Sequence, residues 1–94
     1  MTPMPRPPWS YIPTLEWDDD NMGHIARHGV TPWEVEELLL AGGYDVRPHK
    51  KRRKAAKYRN RYVIFGQTLG GRNLVVFIDR LSDQVIRPVT AFGR

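Results

Sequence analysis

The sequence predicts a small α+β domain, in which an antiparallel sheet carries two short helices on one face. Two apolar runs, residues 62–65 and 74–78, flank a connector that holds three glycines, and this arrangement is typical of a β-hairpin with a longer loop. Two helix start signals precede the hairpin, at Asp18 and Thr31. One further strand follows at residues 85–91. The predicted element order is therefore β-α-α-β-β-β.

The chain of 94 residues is long enough for one modest core. Residues 1–13 contain five prolines and few aliphatic side chains, so we expect an extended or disordered tail whose aromatic residues, Trp9 among them, can still pack on the domain. The single domain is predicted to cover residues 14–94. The sequence has no cysteine and no apolar stretch of membrane-spanning length, which predicts a cytoplasmic protein without a membrane partner.

A short strand is predicted at residues 14–17, followed by the first helix. Asp18 is a suitable N-cap, and the two aspartates after it place negative charge where the helix dipole favours it. We expect this helix to run to about His28, with Gly29 ending it. Its inward-facing residues are predicted to be Met22, Ile25 and Ala26.

The second helix has a more complete start signal. Thr31 is the predicted N-cap, Pro32 takes the first helical position, and Glu34 closes a capping box. The helix should end at Gly42 and Gly43. Its spacing i, i+3, i+4 predicts an inward face made of Val35, Leu38 and Leu39.

The hairpin is expected at the centre of the sheet, because its strands are apolar on consecutive residues, as in strands covered on both faces. A brief strand at residues 44–47 is an open alternative. Pro88 cannot donate to a ladder, so the last strand should be bulged or lie on an edge there. If that strand were regular, Arg87, Val89 and Ala91 would share one face, just as Arg61 shares a face with Phe65.

Positive charge is concentrated in one stretch. Residues 49–61 carry eight of the 15 lysines and arginines and no acid, so the remaining chain has seven bases against ten acids, a net charge of −3. Such asymmetry indicates a polyanionic or acidic partner. A solvated loop that keeps the protein soluble is the alternative interpretation.

Three blocks of the sequence carry a family resemblance. They read LEWD at residues 15–18, HIARHGVTPWEVEELL at 24–39, and FGQTLGGRNLVVF at 65–77, which is followed by IRPVTA. Together they resemble the BrnT-like proteins, over residues 14–92. The resemblance implies a RelE-like fold and the toxin role in a type II toxin–antitoxin module. It also implies metal-independent endoribonuclease activity and a cognate, BrnA-like antitoxin partner. The family pattern has an arginine where this chain has Phe92.

Metal-independent RNA cleavage needs a base, an acid and cations that stabilise the phosphorane. Arginine suits the cationic role, because its planar fork matches phosphate geometry. We predict a cradle of Arg61, Arg80 and Arg87, all on predicted strands. The alternative is that these arginines only form ion pairs with Asp79 and Asp83.

His28 is the predicted acid or base, although a histidine at a helix end can instead serve as a cap. Tyr62 is a second candidate, with a core position as the alternative. His24 and His28 form an HxxxH pair, but Asp20 is the sole nearby third ligand, so we predict neither a metal site nor a cofactor.

The basic stretch is predicted to grip the RNA backbone. Its predicted RNA-binding residues are Lys50, Lys51, Arg52, Arg53, Lys54, Lys57 and Arg59. The leading hypothesis is thus a small basic endoribonuclease held inactive by its antitoxin. The alternative hypothesis is a non-catalytic module of the same fold that binds nucleic acid or a protein partner. Only the convergence of a titratable group with the arginines favours the enzyme over the module.

Overall fold

The computed structural model describes residues 7–9 and 12–94. It contains a five-stranded sheet in the order β1-β5-β4-β3-β2. In this sheet β1 runs parallel to β5, and every other neighbouring pair is antiparallel. The elements are β1 Thr14–Leu15, α1 Asp19–Ala26, α2 Pro32–Ala41, β2 Asp45–Pro48, a single 3₁₀ turn Ala56–Tyr58, β3 Arg61–Gln67, β4 Asn73–Arg80 and β5 Val85–Gly93.

The α+β class and the central hairpin are confirmed, since β3 and β4 pair antiparallel inside the sheet. The element order and the all-antiparallel sheet are wrong. Residues 45–48 form a full strand against β3, so the order is β-α-α-β-β-β-β. The first strand is shorter than predicted and joins the sheet in parallel with β5. Pairing partners so far apart in the chain leave no local signal in the sequence.

Both helices pack on one face of the sheet. The core joins Ile25 of α1 and Leu38 of α2 to the sheet residues Ile64, Val76 and Ile78, all fully buried. Gly66 in β3 allows the closest approach, because a Cβ there would lie 2.9 Å from Leu38 Cγ. Any larger residue at this position would push α2 away from the sheet.

Helix α1 is attached to the sheet by a buried asparagine. The Asn21 backbone N–H donates to Asp18 Oδ1 at 3.1 Å, and Asn21 Oδ1 accepts from the Asp18 N–H at 2.8 Å, which closes a capping box. The Asn21 amide also donates to the carbonyls of Glu16 and Pro88, each at 2.9 Å. Asn21 and Ile25 are therefore the buried residues of this helix. Of the three predicted inward positions, Ile25 is confirmed, Met22 is only half-buried, and the prediction for Ala26, which is exposed, is wrong.

The capping box of α2 is confirmed. Thr31 Oγ1 accepts from the Glu34 N–H at 3.2 Å, and Glu34 Oε1 accepts from the Thr31 N–H at 3.0 Å. Arg72, in the connector between β3 and β4, donates to Glu34 Oε2 at 2.8 Å and to the Gly29 carbonyl at 2.8 Å. This guanidinium lowers the pKa of the Glu34 carboxyl. The hairpin loop is thereby connected to the corner between the two helices.

The proline in β5 produces the bulge that the sequence predicts. Phe77 lies opposite Thr90 while Ile78 lies opposite Pro88, so one residue of β5 is extra. Across this bulge the side-chain alternation reverses: Arg87 lies opposite Asp79, whereas Ala91 is buried under the helices. The expectation that Arg87 and Ala91 share a face is therefore wrong.

The N-terminal residues that the structure describes contribute to the core. Trp9 is 4% exposed, and its indole N–H donates to the Tyr44 hydroxyl at 3.0 Å. Pro13 is also buried. The prediction of an extended or disordered tail covers residues 1–13, of which residues 1–6, 10 and 11 lie outside the described residues. The predicted packing of Trp9 on the domain is confirmed.

The cap of α2 generates a stability prediction. Replacing Thr31 by alanine should lower the free energy of unfolding by about 1 kcal/mol, because the Glu34 N–H loses its side-chain acceptor and keeps only the Thr31 carbonyl. Urea denaturation followed by circular dichroism would measure this change. Thr31→Ser keeps the hydroxyl and should stay close to wild type. Equal stability of the alanine and serine variants would contradict the prediction.

Candidate functional site

The sheet face opposite the helices is organised in three cross-strand rows. Strand register places side chains side by side on adjacent strands, where direct neighbours interact. Two rows are mainly apolar in their interior and the third is charged. The rows are Asp45-Phe65-Val75-Phe92, Arg47-Val63-Phe77-Thr90 and Arg61-Asp79-Arg87.

In the charged row both arginines are held by carboxylates. Arg61 Nε and Nη2 donate to the two oxygens of Asp79 at 2.8 and 2.9 Å, a bidentate pair. Arg87 Nη1 lies 2.7 Å from Asp18 Oδ2 and 3.1 Å from Glu16 Oε1. Hydrogen bonds donated to Asp79 and Asp18 raise the pKa values of the Arg61 and Arg87 guanidinium groups, respectively. Both cations are thus permanently charged and fixed in position.

A cleft of about 280 Å³ opens between this row and α1. The hydrogen bond from Asn21 to the Pro88 carbonyl holds α1 against β5, and His24, three residues further along the helix, consequently faces the same cleft. The cleft is lined by Asp20, Asn21, His24, Arg61, Asp79, Arg87, Pro88 and Val89. The structure therefore brings an imidazole together with two of the three predicted arginines.

The remaining predicted catalytic residues do not line this cleft. Arg80 follows Asp79 in β4 and points to the opposite face, where it pairs with Asp83. Tyr62 packs against the core, with the Arg52 guanidinium 5.5 Å from its ring centroid. His28 lies in the turn after α1, with its ring centroid 6.5 Å from that of Phe92.

Sequence reasoning missed His24 as a catalytic candidate. The HxxxH spacing of His24 and His28 was the feature of the sequence that could have indicated it, and the two ring centroids are 5.6 Å apart. Spacing alone does not say which of two residues on one helix face meets the sheet. The contact of α1 with β5 through Asn21 places His24, and not His28, in the lining of the cleft.

The charge of the cleft differs from that of the whole protein. Two arginines face four carboxylates, because Glu16 and Asp18 hold Arg87 while Asp79 and Asp20 line the walls. With His24 neutral, the local charge is −2. Strong binding of a polyphosphate chain therefore requires cations from elsewhere on the surface.

Such cations are provided by residues 49–59, which we call the basic segment. His49 donates its backbone N–H to the Arg61 carbonyl at 3.0 Å, and its ring stacks on Tyr58 with centroids 4.8 Å apart. These contacts attach the segment to the start of β3. Within the described part of the chain no carboxylate pairs with its seven cations, Lys50, Lys51, Arg52, Arg53, Lys54, Lys57 and Arg59.

The two apolar rows form a second depression, which we call the apolar groove. It has a volume of about 590 Å³. Its floor consists of Val63, Phe65, Val75 and Phe77, and Phe92 closes one side. The basic segment borders the other side through His49, Lys50, Lys51 and Tyr58. The charged cleft and the apolar groove thus lie on the same sheet face.

Family models, curated proteins and solved structures were each compared with this chain, and none matches it. Among residues 7–9 and 12–94 no group of three or more histidines and carboxylates is arranged to hold a metal ion. No helix of that same portion is long and apolar enough to cross a bilayer.

The contacts of His49 predict a dependence of stability on pH. Burial lowers the pKa of His49, and the nearby charges of Arg61 and Lys51 lower it further. Its Nδ1 accepts the Lys51 backbone N–H at 3.1 Å, which requires an unprotonated nitrogen. The unfolded chain therefore binds this proton more readily than the folded protein. Stability from this group is present above the ordinary pKa of about 6.5 and is lost as pH falls below it.

We expect the melting temperature to fall between pH 7.5 and 5.5 by more in the wild type than in His49→Asn, when both are measured by differential scanning calorimetry. His28→Asn, which changes an exposed imidazole, is the matched control and should keep the wild-type profile. A His49→Asn profile identical to wild type would refute the role assigned to this side chain.

Proposed function

We propose that the protein is a metal-independent endoribonuclease that acts as the toxin of a toxin–antitoxin pair, with a RelE-like fold, as its resemblance to BrnT-like proteins implies. One observation carries the proposal: His24 lines the same cleft as Arg61 and Arg87. An imidazole exchanges protons near neutral pH, and guanidinium groups stabilise developing phosphorane charge. A binding module needs cations but has no need of a titratable group beside them.

In the proposed reaction His24 accepts the proton of a ribose 2′-hydroxyl. The freed oxygen attacks the adjacent phosphorus, while Arg61 and Arg87 stabilise the extra negative charge on the phosphorane. The bond to the 5′-oxygen then breaks, and this oxygen takes a proton from a water molecule in the open cleft, while the hydroxide that remains takes the proton from His24 and restores the neutral imidazole. The products are a 2′,3′-cyclic phosphate and a free 5′-hydroxyl. No redox partner or other co-reactant is consumed.

The ion pairs leave donors for this role. Arg61 contacts Asp79 with Nε and Nη2, so its Nη1 makes no carboxylate contact among the described residues. Arg87 contacts its two carboxylates through Nη1, and its Nε and Nη2 are likewise not engaged there. Each guanidinium is therefore oriented by acids and still carries N–H groups for a phosphate oxygen.

The basic segment supports RNA binding. Its cations are unpaired within the described residues, and its first residue, His49, is hydrogen-bonded to the carbonyl of Arg61. A strand whose phosphates contact Lys50, Lys51 and their neighbours would therefore run towards the charged cleft. Phosphate contacts of this kind provide affinity without reading base sequence.

The non-catalytic binding module is supported by a different observation. Both cleft arginines are occupied by carboxylates, and the cleft carries a net negative charge with His24 neutral. In that case Arg61 and Arg87 would only fasten the strands together, and the basic segment would bind a partner without cleavage. The two functions differ in whether RNA is cut.

The catalytic assignment predicts large and selective losses of activity. Arg61→Ala, Arg87→Ala and His24→Gln should each slow cleavage of single-stranded or ribosome-bound RNA by ~10²–10³-fold, the usual loss for one charge-stabilising or proton-transferring group. Cleavage would be followed on end-labelled RNA in EDTA, with products analysed for a cyclic phosphate.

Arg27→Ala removes an exposed arginine at the end of α1 and should leave the rate unchanged. Circular dichroism of every variant separates unfolding from loss of catalysis. Full activity in all three cleft variants, or cleavage that stops in EDTA, would contradict the mechanism. Binding of RNA by the wild type without any cleavage would favour the non-catalytic module.

The basic segment predicts the salt dependence of RNA affinity. Replacing Lys50, Lys51 and Lys54 together by glutamine should weaken binding to oligouridine. It should also reduce the slope of log K against log salt by up to about 2, since each phosphate of a single strand that the protein neutralises contributes roughly 0.7 to that slope. Fluorescence anisotropy at several salt concentrations measures this slope. Arg27→Ala serves again as the control, and an unchanged slope in the triple variant would identify the segment as a solvated loop.

A further inference from the structure

Within the described residues no helix covers the apolar groove, whereas two helices cover the other side of the sheet. The floor of the groove is built from Val63, Phe65, Val75 and Phe77, two apolar residues on each of two adjacent strands. Phe92 on the third strand is 38% exposed. None of these five side chains has a group that can donate or accept a conventional hydrogen bond. A ligand for this floor must therefore present mainly apolar surface.

The surroundings of the groove are positively charged. Lys50 and Lys51 line it and pair with no carboxylate within the described residues. The Arg94 guanidinium lies 5.4 Å from the centroid of the Phe65 ring. Arg47 also lines the groove, and its side chain remains 68% exposed beside Asp45. Apolar contacts are thus available at the centre and anionic contacts at the rim.

We propose that the apolar groove docks an acidic amphipathic helix of a partner protein. Its apolar stripe, with residues at i, i+3, i+4 and i+7, would cover the floor, and its flanking glutamates or aspartates would face Lys50, Lys51 and Arg94. A helix in this position would complete a three-layer arrangement with the sheet in the middle. Charge complementarity at the rim selects acidic helices among all amphipathic ones.

A second copy of this chain fits the groove less well. Each copy carries a net charge of +5, and facing grooves would bring two basic rims together. Like charges brought together at an interface oppose association. The occupant is therefore a protein whose docking segment carries the opposite charge.

Single-stranded RNA also fits this floor less well. Both aromatic rings of the floor already have neighbours: Arg94 lies over Phe65, and the His49 ring centroid is 5.9 Å from that of Phe77. The other floor residues, Val63 and Val75, offer no stacking surface. With no polar group on the floor, base edges would lose hydrogen bonds to water without replacement.

Occupation of the groove has a regulatory consequence, which rests on the proposed function. Lys50 and Lys51 border the groove and also belong to the basic segment that grips RNA in that proposal. Acidic residues of a docked helix would neutralise them and compete with phosphates for the same cations. The partner would thus inhibit RNA binding without entering the charged cleft.

The test uses a designed probe and the full-length protein. A fluorescently labelled 18-residue peptide of glutamate and leucine, with leucines at helical i, i+3, i+4, i+7 spacing, is titrated with protein and followed by anisotropy. A second peptide has the same composition with leucines redistributed so that no stripe forms. We expect the striped peptide to bind at least roughly tenfold more tightly, a difference of about 1.4 kcal/mol.

Variants locate the site. Phe65→Ser and Phe92→Ser should each weaken binding of the striped peptide by roughly tenfold or more, since each removes an aromatic contact from the groove. Leu69→Ser changes a leucine that is 73% exposed in the loop between β3 and β4, outside the groove, and should bind as wild type does. Phe92 is near the end of the last strand, so its variant keeps the test valid if Phe65→Ser is poorly folded.

Three results would overturn the proposal. They are failure of the striped peptide to bind, equal binding of the two peptides, and wild-type affinity in a folded groove variant. Oligouridine binding measured on the same variants identifies the competing ligand: a loss specific to oligouridine would make the groove an RNA site and would also overturn the proposal. RNA cleavage without peptide is assayed separately, so failure of the ribonuclease proposal is distinguishable from failure of docking.

Discussion

The attachment of α1 to β5 is the interaction on which the rest of the structure depends. Asn21 is buried and closes the helix cap, and its amide donates to the carbonyls of Glu16 and Pro88. A buried amide without these acceptors would carry a large desolvation penalty, so the helix has one favoured orientation. This orientation brings His24 to the arginine row. The bulge at Pro88 keeps Arg87 on that row while Ala91 returns to the core.

Two groups of cations in this protein have different physical roles. Arg61, Arg72 and Arg87 make ion pairs with acids that come from other elements. These partly buried, oriented pairs position strands, loop and helix cap relative to one another. The cations of the basic segment lack such partners within the described residues and keep their charge available to an outside ligand. A net charge of +5 thus describes neither the cleft, which is acidic with His24 neutral, nor the segment.

The charged row and the apolar groove share one sheet face, and α1 borders the cleft beside the charged row. This arrangement connects catalysis with control in the proposed function. The charged row and the two apolar rows all cross β3, β4 and β5, and the basic segment borders the groove and joins the start of β3. Both proposed ligands, RNA phosphates and the acidic residues of a docked helix, would therefore contact Lys50 and Lys51. In that proposal a docked acidic helix would weaken RNA binding at these two lysines, because each phosphate contact that is lost removes part of the electrostatic contribution to affinity.

The sequence by itself determined the features that depend on neighbouring residues. The Thr31–Glu34 capping box, the cap at Asp18, the hairpin and the bulge at Pro88 all follow from groups a few positions apart, or from the missing N–H of proline. Only the tertiary structure decided the parallel pairing of β1 with β5, the burial of Asn21 and the choice of His24 over His28. The burial of Asn21 and the position of His24 depend on the contact between Asn21 and Pro88, 67 positions apart, and β1 pairs with residues about 70 positions away. Local propensity and periodicity carry no information about which distant backbone carbonyl a side chain will reach, because that is set by how the complete core packs.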